Sequence, residues 1–164
     1  MGTLGRTLVG DDVEQFIELL NKALADEWLA YYQYWVGAKV AVGPMRGAVV
    51  AELEEHADEE LEHALMLVDR ILQLGGTPLL SPQDWFEMTN CGYETPEDPY
   101  VGVLLEQNIA GEQCAIQAYQ DLMDFTKDVD PVTYELVLQI MTDEIEHEED
   151  LEALQEDMAL MQGR

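Results

Sequence analysis

The sequence predicts an all-α protein: a bundle of four long helices with one long connection between the second and the third. The composition is 48% hydrophobic but only 8% aromatic, which favours helices over strands. Apolar residues also recur at three- and four-residue spacing over four long stretches, the period of a helix with one buried face. The length of 164 residues is that of one ordinary domain, so we expect residues 1–164 to form a single one.

The first predicted helix lies between two acidic residues and a glycine-proline pair. Asp11 and Asp12 are candidate N-terminal caps, because a short acidic side chain can accept hydrogen bonds from the first free N–H groups of a helix. Apolar residues then recur at helical spacing from Val13 until Gly43-Pro44. Proline cannot continue the helix there.

A long connection follows the second predicted helix. This helix begins near Met45 and ends at the glycine pair 75–76, which suits the left-handed turn after a helix. Residues 77–99 are rich in proline and form the connection. Within it, a serine-proline start signal predicts a short helix over residues 83–89.

A short turn joins the third and fourth predicted helices. The third runs from about Tyr100 to Lys127, and the fourth runs from Pro131 nearly to Gly163, with proline at the first helical position. No fifth helix is expected. Two antiparallel helix pairs joined by one long connection are typical of four-helix bundles with a single crossover.

The charge of the chain limits its partners. The sequence has 35 acidic and 7 basic residues, a formal charge of −28. Such a chain repels phosphate backbones and lacks the clusters of Lys and Arg that nucleic-acid binding needs, so no DNA partner is expected. The acidic bias fits either a high-salt cytosol or a field that draws cations inward, and the sequence leaves both open.

No segment predicts export or membrane insertion. Residues 1–12 have no apolar run long enough for a signal peptide. No other stretch approaches the ~20 apolar residues of a membrane span. We expect a soluble, cytoplasmic protein with no membrane partner.

A Glu-x-x-His motif occurs once in each half of the chain. Glu60 and His63 lie on the second helix, and Glu144 and His147 lie on the fourth. Positions i and i+3 lie about 60° apart around a helix, so both side chains of a motif can point at one site. Glutamate is frequent in both helices, but here both motifs lie within the apolar stripe of their helix.

The other two helices each carry one carboxylate on an apolar face. Glu27 lies on the first helix and Glu112 on the third. A buried carboxylate needs a partner, and no Lys or Arg lies on these faces, so a bound cation is expected. Four carboxylates and two imidazoles suit iron or manganese, and a purely structural role is the alternative. The predicted ligands are Glu27, Glu60, His63, Glu112, Glu144 and His147.

With these residues the sequence resembles the ferritin-like di-iron carboxylate superfamily, which takes one Glu from each of two helices and Glu-x-x-His from each of the other two. Within it, the sequence is most similar to the Dps-like proteins called thioferritins, which place a bacterioferritin-type di-iron site in a Dps-type cage. The similarity rests on the absence of a fifth helix after Gly163, the short helix in the connection, and the cysteines Cys91 and Cys114.

The resemblance implies a role for each ligand. The terminal ligands would be Glu27 with His63 and Glu112 with His147. Glu60 and Glu144 would bridge two irons, and Tyr34 would lie beside them as a candidate electron donor. Haem is not expected, because Leu61 stands where bacterioferritins carry a haem-binding Met.

The two cysteines and one histidine stay outside the ligand set. Two cysteines are too few for a disulfide framework or an all-thiolate metal site. The resemblance favours a disulfide or a redox-active pair of Cys91 and Cys114, and two independent thiols are the alternative. His56 is either a support for the ligands or an ordinary core or interface histidine.

The resemblance also implies a function. We expect a ferroxidase that oxidises two Fe(II) ions per subunit with hydrogen peroxide or O2, for iron storage and protection against oxidative stress. Manganese is a second candidate metal, and a homo-oligomeric cage of 12 subunits is favoured over one of 24. The alternatives are a rubrerythrin-like peroxidase or manganese catalase without mineral storage, and a structural or DNA-compacting cage protein.

Overall fold

Six α-helices make up the part of the chain that the structure describes, residues 3–163 of a computed structural model. They are α1 (Thr3–Val9), α2 (Val13–Val40), α3 (Arg46–Gln73), α4 (Pro82–Met88), α5 (Val101–Thr126) and α6 (Pro131–Gln162), and a 3-10 turn at Gly10–Asp12 joins α1 to α2. The four long helices and the short α4 confirm the predicted all-α bundle. None of the helices within residues 3–163 is both long and apolar enough to cross a membrane.

The N-terminal residues differ from the prediction. Helix α1 was not predicted from the sequence, and Asp11 and Asp12 do not cap α2 with their side chains. Val9 and Asp12 both have right-handed helical backbone angles, so the chain enters α2 from an existing helical turn and not from the extended conformation of a capping residue. Arg6 holds α1 in place by donating a 2.6 Å hydrogen bond to the Leu74 carbonyl. The prediction of two acidic caps is therefore wrong.

The loop between α2 and α3 packs against the start of α5. The N–H of Val42 donates to the Pro99 carbonyl at 2.8 Å, and the N–H of Val101 donates to the Val42 carbonyl at 2.9 Å. Gly43 has a φ of 130°, and a Cβ at this position would lie 2.9 Å from Val101 Cγ2. Glycine is therefore needed for this close contact, which joins the end of the long connection to the first helix pair.

Helices α4 and α6 each begin with a capping side chain followed by a proline. The Ser81 side chain accepts from the N–H of Gln83 at 3.3 Å, and the Asp130 side chain accepts from the N–H of Val132 at 3.1 Å. A proline follows each cap, as the sequence predicts for both helices. Asp130 also pairs with the buried Arg70 at 2.5 Å, which ties the start of α6 to the end of α3.

Two hydrophobic clusters fill the bundle, with a polar layer between them. Members of the first cluster are Phe16, Leu20, Leu24, Leu67, Ile71, Val137 and Ile140. Members of the second are Tyr34, Leu53, Ala57, Leu105, Ile109 and Leu151. The charged side chains of the layer come from the middle of the four long helices, so the apolar packing on both sides fixes their positions.

Candidate metal centre

The polar layer contains all six predicted ligands. Glu27 comes from α2 and Glu112 from α5, while α3 and α6 each supply one Glu-x-x-His pair. None of the six residues is more than 3% exposed. The fold thus collects them from four helices into one buried site.

Their ligand atoms form two adjoining groups that share two carboxylates. The groups are Glu27, Glu60, His63 and Glu144, and Glu60, Glu112, Glu144 and His147. Within each group, one ligand atom from each side chain lies within 4.8 Å of all the others. Because Glu60 and Glu144 belong to both groups, each can offer an oxygen to either side.

Each imidazole points its Nδ1 atom at three carboxylates. The distances from His63 Nδ1 are 3.4 Å to Glu27, 3.4 Å to Glu60 and 3.3 Å to Glu144. The distances from His147 Nδ1 are 3.7 Å to Glu60, 3.8 Å to Glu112 and 3.2 Å to Glu144. The two halves of the site therefore have equivalent arrangements around the shared carboxylates.

One acidic residue that was not predicted from the sequence contacts the far side of each imidazole. Asp143 Oδ2 lies 3.2 Å from His63 Nε2, and Glu59 Oε2 lies 2.6 Å from His147 Nε2. A carboxylate in this position fixes the orientation of the ring and makes the opposite nitrogen a stronger ligand. The sequence does carry a signal for both, since each directly precedes the glutamate of a Glu-x-x-His motif.

Two buried tyrosines hold the outer carboxylates, each from the opposite helix. The Tyr34 hydroxyl on α2 donates to Glu112 on α5, and the Tyr119 hydroxyl on α5 donates to Glu27 on α2. Burial, as the larger cause, and the charge of the nearby carboxylates, as the smaller one, raise the pKa of both tyrosines well above the ordinary value. Both phenols therefore keep the proton that they donate, and Tyr119 is the counterpart of the predicted Tyr34.

Burial and crowding shift the pKa values of the ligands in opposite directions. Burial, with the charge of Glu144, raises the pKa of Glu112 to about 8 and that of Glu60 well above its usual range. Burial would raise the pKa of Glu144, but the imidazoles of His63 and His147, 3.3 and 3.2 Å away, outweigh burial and lower it to about 2. The carboxylates outweigh burial at His147, where they raise the pKa to about 12, and they also raise the pKa of His63. The crowded carboxylates thus favour positive charge at the site, which bound protons or a cation can supply.

Several buried polar atoms of the layer have no hydrogen-bond partner. They are Glu27 Oε2, both carboxylate oxygens of Glu144, and His147 Nδ1. Unpaired buried groups are costly, and no Lys or Arg within residues 3–163 pairs with these carboxylates. Carboxylate oxygens and imidazole nitrogens suit iron, manganese and zinc. The donor set of the layer fits divalent metal ions, and Glu60 and Glu144 are the carboxylates that belong to both groups.

A cavity of about 140 Å³ connects the layer to the surface. Its lining includes the buried Glu27 and Glu112, and also the exposed Glu94 and the half-buried Cys91. Small molecules and ions can therefore reach the ligands from the side of the bundle that carries the long connection.

Cys91 and Cys114 form a disulfide at the edge of this cavity, with their Cα atoms 5.7 Å apart. Cys91 lies in the connection after α4, and Cys114 lies on α5. Asp26 on α2 accepts hydrogen bonds from the N–H groups of Asn90 at 2.8 Å and Cys91 at 3.0 Å. The cysteines are thus paired, and the segment that carries Cys91 is fixed to two helices beside the ligands.

His56 lies behind one of the predicted ligands. Its ring stacks on His147 with the centroids 4.0 Å apart, and it meets the Tyr34 ring at 90°. Burial, with the charge of His147, lowers the pKa of His56 to about 3, so the ring is neutral. His56 belongs to neither of the two ligand groups.

Comparisons with known proteins identify the family. The ferritin-like domain matches residues 17–161. A DNA protection during starvation protein from Pyrococcus furiosus is 36% identical over 141 residues, 85% of this chain and 76% of the relative. A bacterioferritin from Rhodobacter capsulatus is 32% identical over 137 residues, 83% of this chain and 80% of the relative.

A solved structure is similar over the whole bundle. It is the dodecameric thioferritin, a bacterioferritin-related protein, from Bacteroides fragilis. The two chains are 43% identical with a TM-score of 0.97, and the match covers 99% of this chain and 98% of the other. Since the family match also spans most of the sequence, the chain belongs to the ferritin-like domain family and is similar to the thioferritins within it.

Proposed function

We propose that this chain is a ferroxidase of the Dps-like, thioferritin type, which binds two Fe(II) ions within one subunit and oxidises them. The observation that supports this most is the pair of buried ligand groups that share Glu60 and Glu144. Fe(II) is the substrate and supplies the electrons. Each ion would be held on its outer side by one carboxylate and one imidazole, Glu27 with His63 and Glu112 with His147.

In this proposal the protein side chains balance charge and fix positions. Four carboxylates offset the charge of two divalent ions and favour the ferric product, because hard oxygen ligands stabilise the higher charge. Glu59 and Asp143 orient the imidazoles, and the two buried tyrosines hold the outer carboxylates. Tyr34 is also close enough to the ligands to serve as a one-electron donor.

Hydrogen peroxide is the proposed oxidant, and O2 is the alternative. Peroxide takes one electron from each of two Fe(II) ions, its O–O bond breaks, and two protons complete two water molecules. Because both electrons come from one site, no oxygen radical is released. A relative is named for DNA protection, and removing Fe(II) and peroxide would protect DNA without binding it. This agrees with the formal charge of −28.

Storage of the ferric product needs an enclosed volume. The dodecameric assembly of the thioferritin from Bacteroides fragilis supports a cage of 12 subunits here, in preference to 24. Sedimentation velocity tests this part separately. A monomer or dimer at micromolar concentration would remove storage from the proposal and leave oxidation in place.

An anaerobic Fe(II) titration followed by oxidant tests the site. Wild type is expected to bind about two Fe(II) tightly per chain and to gain ferric absorbance quickly when peroxide is added. Glu60→Ala should lose both properties. Glu62→Ala, at an exposed position on the same helix, should keep them.

Each outcome of this titration has one meaning. Unchanged binding and oxidation in Glu60→Ala would contradict the assigned site. Faster oxidation by O2 than by peroxide would assign O2 as the oxidant. Tight Mn(II) binding with peroxide breakdown, and without stable Fe(III) formation, would favour a manganese catalase.

A further inference from the structure

Glu52, His56 and Asp150 form a third group of ligand atoms, outside the two groups described above. Glu52 and His56 lie one turn apart on α3, and Asp150 comes from α6. One ligand atom from each side chain lies within 4.8 Å of the other two. His56 Nε2 is 3.2 Å from Glu52 Oε1.

The protein does not balance the charge of this group. Among the described residues, no Lys or Arg pairs with Glu52 or Asp150, and the imidazole of His56 beside Glu52 is neutral. His56 is 2% exposed, and its buried Nδ1 has no hydrogen-bond partner. A buried imidazole with incomplete hydrogen bonding next to two uncompensated carboxylates distinguishes this group from an ordinary acidic surface.

We propose that Glu52, His56 and Asp150 bind a third divalent transition-metal ion in each subunit, separate from the two ions of the proposed di-iron centre. Two carboxylates and one imidazole suit Fe(II), Co(II) and Zn(II) and leave positions for water. Metal–ligand bonds of about 2.0–2.2 Å place ligand atoms roughly 3.5 Å apart. The half-buried Glu52 and Asp150 side chains have the freedom for this small approach.

This third site is expected to bind more weakly and to exchange faster than the two buried groups. Its carboxylates are partly exposed, with the Glu52 side chain at 27%, whereas the six ligands of the layer are at most 3% exposed. Its imidazole stacks on that of His147. An ion here would therefore lie next to the proposed di-iron centre without sharing a ligand with it.

Co(II) is the probe for the test, since its visible spectrum reports imidazole coordination without any oxidation. Equilibrium dialysis is carried out in excess Mg²⁺, which competes at oxygen-only acidic sites. Wild type is expected to bind about one more Co(II) per chain than Asp150→Asn or Glu52→Gln. Asp58→Asn, which removes the same charge from an exposed position on α3, should bind as many ions as wild type.

A second variant keeps the result independent of the proposed ferroxidase. Glu60→Ala combined with Glu144→Ala should lose the ions of the layer and keep the Co(II) that depends on Asp150. The proposal is overturned if Asp150→Asn and Glu52→Gln bind as many ions as wild type with the same spectrum. Co(II)-soaked wild-type crystals provide a check that needs no variant. An anomalous peak next to His56 supports the site, and its absence overturns the proposal.

Discussion

Glu112 shows how the stability that one carboxyl group of the buried layer contributes depends on a bound proton or metal ion. Burial, followed by the charge of Glu144, raises its pKa from the ordinary 4.5 to about 8. A carboxyl with a raised folded-state pKa stabilises the fold below its unfolded pKa, and this contribution is lost as the pH rises through the folded pKa. The pKa of His147 is also raised, from the ordinary 6.5 to about 12. Its contribution to stability is therefore likewise lost as the pH rises above about 6.5.

We therefore expect the metal-free protein to lose thermal stability as the pH rises from about 5 to about 8. Glu112→Gln cannot ionise and should lose less stability, by on the order of a few kcal/mol at pH 8. Calorimetry of chelator-treated protein across this range measures both. An identical pH slope in wild type and Glu112→Gln would contradict the ionisation argument, and added Mn(II) should flatten the slope of wild type.

Glu59 provides a test of ligand orientation. Its carboxylate lies 2.6 Å from His147 Nε2, and loss of such a partner typically weakens metal binding by about 10–100-fold. We expect Glu59→Gln to weaken Mn(II) or Fe(II) binding by this factor in anaerobic calorimetric titration. Glu62→Gln, at an exposed position three residues along α3, is the matched control, and equal affinities in the two variants would exclude the orienting role.

At the scale of helices, hydrophobic periodicity was sufficient to predict the four long elements. The buried faces of α2, α3, α5 and α6 repeat over seven or more turns, and the proline and glycine signals lie at their ends. α1 has only seven residues, too few for a period to be recognised, and its position depends on the contact of Arg6 with Leu74. A contact between distant residues of this kind is not visible in a local pattern.

The buried pair Arg70–Asp130 connects two of these helices. Arg70 and Asp130 are 7% and 4% exposed, and Asp130 also caps α6. Because removing one partner leaves a buried charge uncompensated, we expect Asp130→Ala to destabilise the protein by about 3–5 kcal/mol. Urea unfolding is the measurement. Asp128→Ala, at an exposed position in the same turn, should cost far less, and a similar loss in both variants would contradict the role of the pair.

The disulfide connects the long connection to α5. The cysteines are 23 positions apart, and closing a loop of this length stabilises a protein by about 3 kcal/mol. We expect the double variant Cys91→Ser, Cys114→Ser to lose about this amount in thermal or urea unfolding. It should still bind Mn(II) with the wild-type stoichiometry, because Asp26 also holds the segment through Asn90. Loss of Mn(II) binding would show that the disulfide positions the ligands.

For the whole molecule, the sequence was enough to predict which six buried Glu and His side chains come together in one layer, but not the groups around them. Buried Glu and His within apolar stripes stand out in any helical pattern. By contrast, Glu59, Asp143 and Asp150 are partly exposed and resemble many other surface acids of a chain with 35 acidic residues. Their proximity to His147, His63 and His56 depends on how α3 and α6 lie together, which a one-dimensional pattern does not contain.

In the proposed di-iron centre, each chain holds two adjacent metal ions between its four long helices. Anomalous X-ray scattering from Fe(II)- or Mn(II)-loaded crystals shows whether it does. Two peaks are expected in the buried layer of each chain, about 3.5–4 Å apart, one beside His63 and the other beside His147, both within bonding distance of Glu60 and Glu144. A single peak in the layer, or peaks only elsewhere on the chain, would contradict the claim.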